Sequence, residues 1–182
     1  SSGPHFFSDA PDSQRMRRRT ALAAVPVALA GCVSEAEEVL SGPDPTEAEA
    51  MVREGVNDLR FERGVEDVGQ DDLLATVARD HSQDMAERDF YAHTNPDGEN
   101  PSDRTGCRTG EVIHRGEVGE MRLPDGDQTY QTALTEDLAQ FCVDGWRASR
   151  EHRQILTDPR YQSIGVGIHV ADGSFWATAV FC

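Results

Sequence analysis

Three side chains carry the means for acid–base or metal chemistry. His93 stands in Tyr91-Ala92-His93-Thr94-Asn95-Pro96, a polar loop. His152 stands in Ser149-Arg150-Glu151-His152-Arg153, just past an expected helix, and Glu111 stands in Gly110-Glu111-Val112-Ile113. Two imidazoles and a carboxylate can hold a divalent metal, zinc or another, with one position open for water. The same groups can equally form an acid–base pair without metal. Spacing alone does not bring them together, since a lone loop histidine ordinarily serves as a surface or hydrogen-bonding residue. His81 falls on the inner face of an expected helix and reads as a satisfied core histidine. His114 and His169 fall on expected strands and read as structural or surface residues. The chain has no HExxH, GxSxG, Walker or GxGxxG signature.

Several elements must position these groups. Thr46-Glu47-Ala48-Glu49 has capping-box spacing behind Pro45, and Ala48, Val52, Val56 and Leu59 form an apolar stripe. This predicts a first helix ending near Gly64, followed by a connection over Val65 to Gly69. A second helix starts around Gln70-Asp71-Asp72, with Leu74, Val77, Ala78, His81 and Met85 inward. Tyr91 to Cys107 reads as a long ordered loop, and Glu111 to His114 as a short strand. Residues 116–130 read as an exposed excursion with a Pro-Asp-Gly turn. A third helix runs over Thr135 to Ser149, with Leu138, Phe141, Cys142 and Trp146 inward. Two strands, Ser163 to Val170 and Ser174 to Phe181, meet at Asp172-Gly173, a strong hairpin signal. The sum is an α+β domain with helices packed on a small, mostly antiparallel sheet.

Ahead of this domain, residues 15–32 read RMRRRTALAAVPVALAGC. Paired arginines before a short apolar run suggest a twin-arginine export signal within a leader over residues 1–31. The run is too short to span a bilayer. Leu29-Ala30-Gly31-Cys32 resembles a lipobox, in which Cys32 is lipidated. Residues 32–45 then form an acidic, flexible tether, and 46–182 the folded domain. The expected location is extracellular, at the outer face of the cell membrane, held there through the lipid anchor only.

All 17 basic residues are Arg, and 33 are Asp or Glu. Four Arg and two acids precede Cys32, so residues 32–182 carry 13 Arg against 31 acids, a net charge of −18. That balance argues against nucleic acid as a partner. It fits a protein of high-salt surroundings, such as a halophilic archaeon, where dense carboxylates keep the surface hydrated. Cys107, Cys142 and Cys182 remain after Cys32, an odd number. Cys142 lies on an apolar helix face, so the expected disulfide joins Cys107 and Cys182.

The motifs also fall in a familiar order. Val56-Asn57, Arg60 and Gly64 are followed by Leu74, Ala78, His81-Ser82 and Met85. Phe90-Tyr91-Ala92-His93-Thr94, Pro96-Asp97-Gly98 and Asp103-Arg104 come next, then Gly110-Glu111-Val112-Ile113. Trp146, Ser149, His152-Arg153, Ile155-Leu156, Tyr161 and Ile164-Gly165-Val166-Gly167 complete the series. Over about residues 46–182 it resembles the CAP superfamily (cysteine-rich secretory, antigen 5 and pathogenesis-related proteins) in its prokaryotic form. The resemblance implies a three-layer α-β-α sandwich with a cleft in which His93 and His152 are the histidines and Glu111 the first acid. Glu117, in Gly116-Glu117-Val118, is the fallback for Glu111. The chain departs from the family pattern at Val112, where Asn is usual, at Gln154, which leads straight to Ile155, and at Ser149, where animal and plant members carry a second cleft Glu.

Three functions follow as expectations. The first is a tethered binding module whose cleft takes a small ligand, lipid, peptide or envelope component, with or without a divalent metal. The second is a metal-dependent, peptidase-like hydrolase using Glu111 on a water held by His93 and His152. The third is a non-catalytic surface interaction protein.

Overall fold

The computed structural model describes residues 40–124 and 126–182. The leader, Cys32 and most of the tether lie outside the described residues. Packing begins before residue 46: Pro43 is buried, and the Asp44 amide donates to Thr135 Oγ1 at 3.0 Å.

Helix α1 spans Pro45–Glu62. Its N-cap is Asp44, whose carboxylate accepts from the Thr46 and Glu47 amides, and Pro45 fills the first turn, where no partner for an N–H is needed. Thr46 is therefore not the cap, and Glu49 is no capping-box partner. Glu49 is instead buried, accepting from the Ile168 amide and pairing with Arg79. Strand β1 (Gly69–Gln70) takes the last residue of the expected connection and the first residue expected of the second helix. Helix α2 (Asp72–Glu87) follows, capped by Asp71. A short helix α3 (Pro101–Thr105) interrupts the long loop.

Strand β2 (Gly110–Glu117) is longer than expected. The excursion after it holds two further strands, β3 (Glu120–Arg122) and β4 (Thr129–Gln131), paired as a small separate sheet. Tyr130 of β4 is buried and its hydroxyl donates to Asp144, so this segment is docked at that point. Helix α4 (Thr135–Ala148) and helix α5 (Arg150–Leu156) come next. Strands β5 (Ser163–Ala171) and β6 (Ser174–Phe181) form the expected hairpin. Asp172 and Gly173 both take positive φ, 50° and 74°, as a two-residue turn matched to strand twist requires.

The main sheet has the order β1-β5-β6-β2. Only the β1–β5 pair is parallel. Helix α2 covers one face, and α1 and α4 the other, which gives a three-layer α-β-α sandwich. The large apolar cluster lies on the α1/α4 side, built from Val52, Val56, Leu138, Phe141, Trp146, Phe175 and Phe181 among others. On the other side α2 approaches so closely that a Cβ at Gly165 or Gly167 would fall 2.1 Å from the helix backbone.

Two covalent or polar ties hold the ends. Cys107 and Cys182 form a disulfide with Cα atoms 6.1 Å apart, while Cys142 is buried and has no disulfide partner among the described residues, as its apolar surroundings implied. Arg60, almost fully buried at the end of α1, donates to the carbonyls of Glu66, Leu156, Asp158 and Tyr161. It thereby fixes the C-terminal end of α5, the helix that carries His152.

Candidate functional site

Strand β2 is an edge strand, and the candidate residues gather along it. Its backbone places Glu111 opposite Val180 of β6, on the α2 side of the sheet. The Glu111 side chain is 1% exposed. A buried carboxylate needs partners for both oxygens, and it has them. Oε1 accepts from His93 Nδ1 at 2.8 Å, and Oε2 accepts from Arg104 Nη2 at 2.7 Å.

The loop that delivers His93 is shaped by its own polar residues. Asn95 is buried; its Oδ1 accepts from the Asp97 and Glu99 amides, and its Nδ2 donates to Glu99. Helix α3 then starts on a reciprocal capping box between Asn100 and Asp103, with Pro101 in the first turn. This aims Arg104 back into the fold. Besides Glu111, Arg104 Nη1 donates to the carbonyls of His93 (3.0 Å) and Glu99 (2.9 Å). One guanidinium therefore clamps both the loop and the carboxylate that orients His93. The His93 side chain remains 48% exposed, and its Nε2 has no partner among the described residues.

His81 stands behind this arrangement. Its Nε2–H donates to the Ala92 carbonyl at 3.0 Å, and the same nitrogen lies 3.8 Å from Glu111 Oε1. Burial holds its pKa below the ordinary value, against the pull of Glu111. It is a core histidine, as its helix position implied, and it also touches the site.

His152 sits just past α4, as expected, but on the further short helix α5, which Ser149 caps by accepting from the His152 amide. At the position where a second acid was looked for, the hydroxyl thus positions His152. The His152 Nδ1 is buried without a partner. Burial lowers its pKa first, and the charge of His93 lowers it further, so the two rings lie within electrostatic reach. A fourth ring joins from the other face of β2. His114 stacks on Phe141 at 5.0 Å, and its Nε2 has no partner. Burial pushes its pKa down to about 4, with a smaller contribution from His152. The carbonyl of Ile113 accepts from both Tyr91 Oη (3.1 Å) and Trp146 Nε1 (3.0 Å).

Glu111, His93 and His152 thus collect at one edge. Glu117 does not join them: it is exposed at the far end of β2, opposite Ser174. Among the described residues, no group of three or more His, Cys, Asp or Glu is disposed to hold a metal ion. The donor set fits a narrower arrangement. Glu111 acts behind His93, in the manner of a carboxylate that orients a ligating imidazole, which leaves His93 Nε2 and His152 as the two available donors.

Sequence reasoning passed over Arg104 as a site residue. Its signal was present in Asn100-Pro101-Ser102-Asp103-Arg104, a capped turn ending on a cation, but its partner Glu111 is set only by tertiary contact. His114 reads from the sequence as structural or surface; its ring packs on Phe141, and it lies within electrostatic reach of His152.

The profile of the cysteine-rich secretory protein family (CAP) matches residues 54–181. Protein YkwD of Bacillus subtilis, described as uncharacterized, is 28% identical over 137 residues, covering 75% of this chain and 48% of its own length. The chain spans about half or less of the curated relatives it matches. An outer surface protein of Borrelia burgdorferi superposes with a TM-score of 0.61 at 18% identity, covering 77% of this chain and 95% of its own. An extracellular protein containing a SCP domain, from Bacillus anthracis, superposes with a TM-score of 0.56 at 21% identity, covering 75% of this chain and 40% of its own.

Proposed function

This chain belongs to the cysteine-rich secretory protein (CAP) family, and from that membership we propose that it acts outside the cell as a ligand-binding domain whose cleft is organised by Glu111. The observation that carries the reading is the pairing of both Glu111 oxygens, one with His93 and one with Arg104. A carboxylate so placed holds the His93 ring with Nδ1 inward and Nε2 toward the cleft. A hydrolase using Glu111 on a water would want one of those oxygens free. The pairing therefore favours binding over bond cleavage.

The ligand is a lipid, a peptide or an envelope component, and its polar group meets His93 and His152. Those two residues would also hold a divalent ion such as zinc. The ion would supply a point of attachment for an anionic or carbonyl group of the ligand. Lipidation at Cys32 would keep the domain at the outer membrane face, and no described helix is long and apolar enough to cross a membrane. The SCP-domain protein of Bacillus anthracis is described as extracellular, which supports the same location here.

Calorimetric titration of the full chain with Zn²⁺ at molar salt tests the cleft. The wild type should bind one ion. His93→Ala with His152→Ala should abolish it, and Glu111→Gln should weaken it about tenfold to a hundredfold by freeing the His93 ring. Equal, weak binding by the wild type and the double variant would remove the metal from the reading.

A further inference from the structure

Helix α3 carries the Arg104 clamp, yet packing does little to hold it. Alone among α1 to α5 it has no buried residue. It is fastened to the rest of the fold by Arg104 itself, which bonds Glu111 and the carbonyls of His93 and Glu99. A second tie stands at its C-terminal end. Gly106 closes the helix in the left-handed conformation, at φ 70°, and the next residue, Cys107, is joined to Cys182. Local opening is easiest where few apolar contacts resist it, so this covalent tie matters more to α3 than to the helices that bury a face.

The two ends of the disulfide are unlike. Cys182 is a fixed post. Its carbonyl accepts from the Gln162 and Ser163 amides and its amide donates to the Ser163 carbonyl, which extends the β5–β6 pairing by one residue. Cys107 lies in the link over 106–109 between α3 and β2, and its hydrogen bonds among the described residues are local, with Thr105 and Thr109. The bond therefore runs from a rigid sheet terminus to a link three residues from the clamp. Both cysteines of the pair are half-buried, whereas Cys142 is buried. Burial pushes the Cys142 thiol up, so it stays protonated and outside thiol–disulfide exchange.

We propose that the Cys107–Cys182 disulfide is a redox-sensitive latch on the cleft. Closed, it holds α3 where Arg104 meets Glu111 and the His93 carbonyl. Opened, it lets α3 move away with Arg104, and His93 loses the fixed presentation that its loop and Glu111 give it. The step is exchange with a dithiol reductant. A thiolate of the reductant attacks one of the two sulfurs, its second thiol resolves the mixed disulfide, and the reductant leaves as a disulfide. Two electrons pass to the protein, and Cys107 and Cys182 become thiols. The latch acts on the cleft residues described above and so rests on that reading, but its motion needs no ligand.

The test follows the full chain at molar salt by NMR, before and after reduction with dithiothreitol and with no ligand added. Amide hydrogen exchange at Arg104 and Gly106, both hydrogen-bonded within α3, should quicken about tenfold. The His93 ring nitrogens should move toward the tautomer mixture of a free histidine. The Trp176 indole signal, at the hairpin end of β6 and away from Cys182, should stay in place, and reoxidation should reverse both changes. Cys107→Ser with Cys182→Ser should show the opened-state signals with or without reductant. Unchanged exchange and ring signals after reduction would overturn the latch. So would loss of the Trp176 signal in step with them, which would make the bond a tie of the whole fold, or a bond that stays closed in the folded chain under the reductant. Failure of zinc to bind would remove the metal from the cleft reading and leave this result standing, because no ligand enters the measurement.

Discussion

The two faces of the main sheet are built on different principles. Against α1 and α4, β5 and β6 present Ile164, Val166, Ile168, Phe175, Ala177 and Phe181, and the layer is held by apolar burial. Against α2 the same strands present Gly165, Gly167 and Thr178, and the apolar cluster there is small. Polar contacts do the joining instead: Ser82 Oγ bonds the Gly167 carbonyl and Thr178 Oγ1, Glu49 of α1 accepts from the Ile168 amide and pairs with Arg79 of α2, and Glu111 collects His93 and Arg104. A layer held by non-directional burial tolerates reshaping. A layer held by close backbone approach and fixed hydrogen bonds places side chains accurately, and the candidate cleft adjoins it.

The sharpest way to break this contrast is to substitute one closely packed residue on each side of the sheet. Gly167→Val forces a Cβ onto the α2 backbone and should cost about 3 kcal/mol or more, because the helix itself must move. Leu138→Met on the other face keeps the volume and should cost under about 1.5 kcal/mol. Urea unfolding of both variants measures the difference, and equal losses would erase the distinction. Next in size is Glu49→Ala, which leaves the buried Ile168 N–H without an acceptor and Arg79 without its pair. About 2–3 kcal/mol should be lost in the same measurement. Retention of wild-type stability would mean that the polar contacts are ornament to packing.

A smaller effect reads His114, packed on Phe141 on the α4 side of β2. The folded pKa of His114 is about 4 against an ordinary 6.5. The unfolded chain therefore binds more protons below about pH 6.5, so stability is full above that value and falls as the pH drops toward 4. Between pH 7 and pH 5 the His114 share of that loss is about 1–2 kcal/mol. His81 and His152 are shifted in the same direction and add to it. His114→Phe keeps the stack on Phe141 and should flatten the pH dependence of the thermal midpoint over this range. An unchanged slope would place the acid sensitivity elsewhere.

Much of this architecture was legible in the sequence because it rests on local periodicity. Helix α2 shows its inner stripe and its Asp71 cap, and the β5–β6 hairpin announces itself through Asp172-Gly173. What escaped depends on distant partners. Strand β1 is two residues long and exists only because β5 runs beside it. The β3–β4 pair has Met121 opposite Tyr130 as its one half-buried contact, too little alternation to register as strands. At the start of α1 the cap is Asp44 and not Thr46, because Pro45 sits best at the first helical position. The site divides the same way. His93, Glu111 and His152 were recognisable by motif, but the Arg104 clamp and the cap that Ser149 provides under His152 are products of the folded geometry.

In this fold Glu111 holds the His93 ring through Nδ1, which turns Nε2 toward the cleft. Long-range ¹H–¹⁵N NMR on the imidazoles, at a pH high enough for neutral rings, tests it most directly. In the wild type His93 should be the Nδ1–H tautomer with an unprotonated Nε2, and Glu111→Ala should release it toward the mixture of tautomers of a free histidine. A wild-type His93 already in the Nε2–H form, or one indifferent to the loss of Glu111, would contradict the account.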